Sequence, residues 1–243
     1  MEEIIKTLEK YNQNQIIEIL HKVDEATKEK LISQLNKINF KEIKDLYENI
    51  HTSNEVNLDK IKPIKSTNED KLSKEELENY KRLGEETVRN NKFAVVTMSG
   101  GQGTRLGFNG PKGTFKINVE PNPKYLFEII VDTLTEANKK YEVTIPWYIM
   151  TSEENDATIK EFMQSHNNFG YDGQYIKYFK QGELPLIDEK GNLLIDENYN
   201  VRLASNGNGS IFESMRTKGI LDDMESKGIE WVYIGSIDNV LLK

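Results

Sequence analysis

Between Met98 and Ile117 the sequence reads MSGGQGTRLGFNGPKGTFKI, with six glycines, one arginine and two lysines. Residues of these types at this density suit the holding of an anion close to the backbone. Gly100, Gly101 and Gly103 admit backbone angles that other residues avoid and leave amide N–H groups open to a ligand. Arg105 can fork onto two phosphate oxygens, whereas Lys112 offers a compact charge. Pro111 stiffens the approach to Lys112. The plain alternative is a solvated loop whose arginine and lysine merely stay wet.

The spacing narrows the choice of ligand. A Walker A loop needs G-x-x-x-x-G-K followed by serine or threonine, so that lysine and hydroxyl meet phosphate and Mg²⁺. The order Gly110-Pro111-Lys112-Gly113-Thr114 does not supply it. A dinucleotide fingerprint needs G-x-G-x-x-G. Here Gly101 and Gly103 fit, but Leu106 stands at the third glycine and Gly107 comes one place late. A nicotinamide-dependent oxidoreductase is therefore weakened as a reading, though not removed.

Around this loop the pattern is strand and helix in alternation. KFAVVTM (92–98) reads as a buried parallel strand, TIPWYIMTS (144–152) as a second, QYIKYFKQ (174–181) as a third and IEWVYIGSID (229–238) as the last. Helices are expected over 124–139, 153–165 and 210–226, with a hairpin over 182–196 turning at Lys190-Gly191. Ser73 followed by Glu76 forms a capping box ahead of a helix from Lys74 to about Asn90. Residues 1–50 carry apolar residues at helical spacing, and 51–72 read as a linker. The expected division is a helical segment and linker over 1–72 and a nucleotide-binding α/β domain over 73–243. No internal repeat is evident. The fold class is α/β, a Rossmann-like, mostly parallel sheet flanked by helices, with an N-terminal helical appendage.

In such a sheet ligands bind beyond the carboxyl ends of the strands. SGGQGTRLG follows the first strand, KQGELP the third, and Ser236-Ile237-Asp238-Asn239 closes the last. The formal charge of −8 argues against nucleic acid or an anionic membrane as partner. The sequence has no cysteine, which excludes thiolate nucleophiles and cysteine-held metals, and its three histidines are scattered. MEEIIKTLEK is not a signal peptide and no run approaches membrane-spanning length, so a cytoplasmic location is expected.

These segments together resemble the UDP-sugar pyrophosphorylases of the eukaryotic type, especially those acting on UDP-N-acetylglucosamine. The likeness runs in order through SGGQGTRLGFNGPKGTFKI, IPWYIMTS, YFKQGELP, NGNGS and IDNVLLK. It covers roughly residues 60 to 243, while the first 50 match only in being helical. The resemblance implies the nucleotide-diphospho-sugar transferase type of fold. It also implies a uridylyltransferase joining UTP to a sugar 1-phosphate, with pyrophosphate released. Because that family extends past the last motif here, it further implies that this chain is the nucleotide-binding portion. A uridine-binding module without catalysis is the alternative.

The resemblance also implies roles. Gly100, Gly101, Gln102 and Gly103 would form the nucleotide-binding loop, with the backbone of Gly100 and Gly101 against the uracil and ribose and Gln102 helping to fix the turn. Arg105 would face the departing pyrophosphate and Lys112 the α-phosphate. Gln181 and Gly207 would lie at the base, Asn208 near the sugar, and Asp238 would bind Mg²⁺. Each has a bland reading as well. Gln181 suits a strand end, Asn206–Ser210 a helix N-cap region, and Asp238-Asn239 an ordinary turn. Trp147 and Tyr148 read as core, and His166 as a helix-end surface residue. The family's P-D-G-N-G-G is replaced by Ser205-Asn206-Gly207-Asn208-Gly209-Ser210, and Lys180 stands where a glutamine or aromatic is common.

Overall fold

The computed structural model describes residues 1–50, 59 and 61–239. The last four residues of the IDNVLLK motif, and most of the first half of the expected linker, lie outside the described residues. Two compact units emerge: residues 1–65 with 183–205, and residues 66–182 with 206–243. The expected boundary near residue 72 therefore misses a discontinuity, because 183–205 cluster with the N-terminal helices.

The larger unit is built on a parallel sheet of β1 (Phe93–Met98), β4 (Trp147–Thr151), β5 (Ile176–Lys180) and β8 (Trp231–Ser236), in the order β5-β4-β1-β8. All three pairings are parallel. Alternation along β1 explains the layers. Val95 joins Trp147, Ile149, Phe127, Val131, Ile159 and Met163 on one face, under α6 (Leu126–Tyr141) and α7 (Asp156–Ser165). Ala94 and Val96 join Tyr148 and Met150 on the other, under α8 (Ile211–Thr217) and α9 (Ile220–Ser226). Trp147 and Tyr148 are fully enclosed, as expected of core residues. Burying side chains of this size stabilises by about 2–3 kcal/mol each.

Local signals explain the remaining boundaries. Ser73 Oγ accepts from the Glu76 N–H and the Glu76 carboxylate accepts from the Ser73 N–H, capping α5 (Lys74–Arg89) as the sequence predicts. α6 starts at Leu126 rather than 124, because Lys124–Tyr125 (β3) pair antiparallel with Lys116–Ile117 (β2). The helix expected over 210–226 is two helices, divided where Gly219 takes a φ of 70°. His166 closes α7 and packs against Phe162.

The smaller unit packs α1 (Glu2–Lys10), α2 (Asn14–Lys22), α3 (Glu25–Leu35) and α4 (Phe40–Ile50) around Leu8, Ile16, Leu20, Leu31 and Leu35, with Leu193 and Val201 in the same core. β6 (Glu183–Pro185) pairs with β7 (Leu203–Ser205), and between them lie two tandem turns. These reveal an eight-residue repeat, LIDEKGNL then LIDENYNV (186–193 and 194–201), contrary to the expectation of none. Asp188 accepts from the N–H of Lys190 and Asn192, and Asp196 from that of Asn198 and Asn200. The corresponding Gly191 and Tyr199 both have positive φ, 81° and 57°. The helices receive the two copies alike: Gln13 Oε1 accepts from the Leu193 N–H at 2.8 Å, and Gln34 Oε1 from the Val201 N–H at 2.9 Å. The hairpin expected at Lys190-Gly191 is thus the first of a pair.

Candidate functional site

In the larger unit the chain passes from β1 to β4 and β5 on one side, then returns to β8 on the other side of β1. The strand order reverses at β1, and that is where an open α/β sheet leaves a crevice. The glycine-rich loop leaves β1 at Ser99, whose N–H and hydroxyl both bond the Met150 carbonyl. No helix follows. Thr104–Leu106 form a single 3-10 turn, and the next α-helix begins at Leu126. A dinucleotide fingerprint opens a helix after its strand, so this geometry also departs from the oxidoreductase pattern.

Carbonyls of the loop are tied back to the protein. The Asn155 side-chain amide donates to the Gly100 carbonyl at 2.9 Å, and the Lys112 N–H to the Gly101 carbonyl at 3.0 Å. The N–H of Phe108 reaches the Gly103 carbonyl, and Gly103 itself donates to Gly110 at 2.8 Å. The N–H groups of Gly100, Gly101 and Gln102 take no partner among the described residues. Three successive backbone donors are left for something else. Two glycines here are also forced by close packing. A Cβ at Gly113 would stand 2.2 Å from the ring of Phe127, and one at Gly103 would stand 2.7 Å from Phe108.

The stem of Lys112 lies over Gly101, its Cε 3.6 Å from where a Cβ would be. Its Nζ meets Asp238 Oδ2 at 2.7 Å, at the end of β8. The Lys112 ammonium, then the Ser236 hydroxyl, hold the Asp238 carboxyl below the usual carboxylate range. Gln181 follows β5 and is buried, its N–H bonded to the Thr151 carbonyl at 2.7 Å. Its side-chain amide has no hydrogen bond among the described residues, and a Cβ on Gly100 would come 3.0 Å from its Oε1. That amide reaches solvent rather than being sealed in, so it is free to pair with a ligand beside the bare backbone donors.

The structure therefore brings together Gly100, Gly101, Gln102, Lys112, Gln181 and Asp238. It does not bring in Arg105, which is exposed on the 3-10 turn and unpaired among the described residues. Gly207 has a φ of 84°, and Gly207 and Asn208 are both exposed ahead of α8. They connect to the site through Asn206, whose N–H bonds the Gly182 carbonyl at 3.1 Å. Asn206 Oδ1 is the one buried side-chain polar atom without a partner among the described residues. Sequence reasoning missed Asn155, Gly182 and Asn206. The position of Asn155 just past the second strand was the available signal.

No three His, Asp or Glu side chains cluster to hold a metal ion among the described residues. Asp238 alone, half exposed and bonded by Lys112, does not build a resident site. It fits a Mg²⁺ ion held in the way typical of that cation, by one or two carboxylates together with substrate phosphates and water. No helix among the described residues is long and apolar enough to cross a membrane.

A parallel sheet reversing at β1, with bare backbone amides at the reversal, defines an open α/β protein with a ligand crevice at its switch point. Comparison places it more closely. The family model described as UTP–glucose-1-phosphate uridylyltransferase matches residues 5–242, and the chain belongs to that family. It is 29% identical to UDP-N-acetylglucosamine diphosphorylase 2 of Arabidopsis thaliana over 255 aligned positions, covering 99% of this chain and 50% of that protein. It is 38% identical over 190 positions to the UDP-N-acetylglucosamine pyrophosphorylase of Saccharomyces cerevisiae, covering 75% of this chain and 39% of that one. The crystal structure of the uridine diphosphate N-acetylglucosamine pyrophosphorylase of Trypanosoma brucei superposes with a TM-score of 0.77 at 26% identity, covering 98% of this chain and 51% of that one. The chain spans about half the length of the curated relatives it matches.

Proposed function

We propose that this chain is the uridine-nucleotide grip of a uridylyltransferase that joins UTP to a sugar 1-phosphate, N-acetylglucosamine 1-phosphate first among the candidates, and releases pyrophosphate. The observation that carries the reading is the run of three unpaired N–H groups, Gly100 to Gln102, beside the unpaired amide of Gln181. Together they offer donors and one acceptor to the edge of a small base. Gly207 closes the base side and Asn208 faces the sugar in this reading. The names of the Arabidopsis and yeast relatives support the N-acetylglucosamine assignment.

The chemistry needs no general base. A sugar 1-phosphate is largely dianionic at neutral pH, its second pKa being about 6, and one of its oxygens attacks the α-phosphorus of UTP. What the protein supplies is alignment and positive charge. Lys112 turns from Asp238 to the α-phosphate, and Arg105 swings from solvent to the departing pyrophosphate. Mg²⁺, bound by Asp238 and phosphate oxygens, would neutralise part of the same charge. A cytoplasmic location is consistent with the absence of cysteine.

The test is pyrophosphate release from UTP and N-acetylglucosamine 1-phosphate, beside calorimetric binding of UTP. Arg105→Ala and Lys112→Ala should each lower turnover by roughly 10²–10³-fold, the cost of losing a comparable charge-stabilising donor. Near-normal turnover in both overturns the assignment. UTP binding without pyrophosphate release supports the second reading, a uridine-nucleotide-binding module without catalysis.

A further inference from the structure

We propose that Asn155 is the residue that positions the glycine-rich loop for nucleotide, turning its backbone amides outward. The inference rests on the uridine-nucleotide reading above.

Asn155 lies in the turn between β4 and α7 and is 2% exposed. Both ends of its side-chain amide are engaged. Nδ2 donates to the Gly100 carbonyl at 2.9 Å, and Oδ1 accepts from Gln102 Nε2 at 2.8 Å. These two bonds fix which way the amide faces. Its own N–H bonds the Ser152 hydroxyl and carbonyl, both at 3.2 Å, so the turn that carries it is itself anchored.

The consequence follows from peptide planarity. In a trans peptide the carbonyl of one residue and the N–H of the next point in opposite directions. Drawing the Gly100 carbonyl inward to Asn155 therefore aims the Gly101 N–H outward, where it has no partner. The Lys112 N–H does the same for the next peptide, holding the Gly101 carbonyl and freeing the Gln102 N–H. Neither peptide belongs to a helix or strand. Two adjacent glycines there have wide rotational freedom, so without Asn155 the 100–101 peptide is free to flip and present an oxygen to the nucleotide. Asn155 touches no substrate in this scheme and acts through the Gly100 carbonyl, with the Gln102 side chain holding its amide in place.

The test uses the full 243-residue chain in four forms: unaltered, Asn155→Ala, Gln102→Ala and the double variant. UTP and UMP affinities are read by calorimetry. Asn155→Ala should weaken both ligands by the same factor, tenfold or more, at unchanged stoichiometry. Gln102→Ala should weaken them less. The double variant should be no worse than Asn155→Ala, because Gln102 acts through Asn155. A merely structural role predicts falling stoichiometry with an unchanged dissociation constant for the folded fraction, and that result overturns the proposal. So does an unaltered dissociation constant in Asn155→Ala. Should that variant fail to fold, hydrogen exchange in the unaltered chain decides. The Asn155 side-chain amide protons should exchange slowly while the Gly101 N–H exchanges fast until UTP is added; fast exchange at the Asn155 amide overturns the clamp. Failure of the unaltered chain to bind any uridine nucleotide would instead refute the underlying reading, and with it this one.

Discussion

The ammonium of Lys112 and the carboxylate of Asp238 lie 2.7 Å apart across 126 residues of sequence. One leaves the loop after β1 and the other closes β8, so the pair joins the two flanks of the point where the sheet reverses. In the proposed function each has a different destination, phosphate for the lysine and Mg²⁺ for the aspartate. The pair neutralises both charges while the site is free.

That pairing sets a pH dependence. The Asp238 carboxyl is held below its usual pKa by Lys112 and then by Ser236. A group depressed in the folded state contributes stability above its unfolded pKa, near 4, and loses it as pH falls through the lower folded value. With Asp238 about half exposed, solvent screening keeps the gain below about 1 kcal/mol. Lys112→Ala should move the carboxyl resonance titration of Asp238 upward, and the stability gap between the two proteins should shrink from pH 7 to pH 3. A titration midpoint unmoved by the substitution would show that the pair does not form in solution.

Gly113 tests the packing that aims Lys112. A methyl group there would meet the Phe127 ring at 2.2 Å, and Phe127, in the first turn of α6, is fully buried. Gly113→Ala should cost about 1–3 kcal/mol by overpacking, lowering the thermal midpoint by several degrees, and should weaken UTP binding through displacement of the lysine. A midpoint equal to the unaltered protein's would mean the ring can move aside.

Gly100 tests the base edge instead. Its Cβ would come 3.0 Å from Gln181 Oε1, a side-chain end that can yield, and 3.3 Å from the Ser152 backbone nitrogen, so Gly100→Ala should lower the thermal midpoint by a few degrees at most. Uridine itself, which has no phosphates, should bind at least tenfold more weakly to this variant by calorimetry. Retained uridine affinity would remove Gln181 from the base-reading role.

How much of this the sequence disclosed depended on the range of each interaction. The Ser73–Glu76 cap and the strand carrying Trp147 were legible because their signals are local. The tandem turns were printed in the repeat LIDE-x-x-N but hidden by a glycine in one copy and a tyrosine in the other at the same left-handed position. The grouping of 183–205 with the helices was not legible, since the glutamines that receive it stand some 167 to 180 residues away. Of the site, the segments holding the loop, Gln181 and Asp238 stood out at the strand ends of a parallel sheet, and the resemblance singled out those residues within them. Asn155 escaped because its partners lie 53 and 55 residues distant and its neighbours resemble an ordinary helix start.

Calorimetric titration of the chain with UTP and, separately, ATP tests the central claim most directly. Bare donors at Gly100–Gln102 and the Gln181 amide, read as the uridine grip, predict saturable one-to-one binding of UTP, with ATP at least tenfold weaker. Equal affinity for the two nucleotides, or no binding of UTP, would contradict the account.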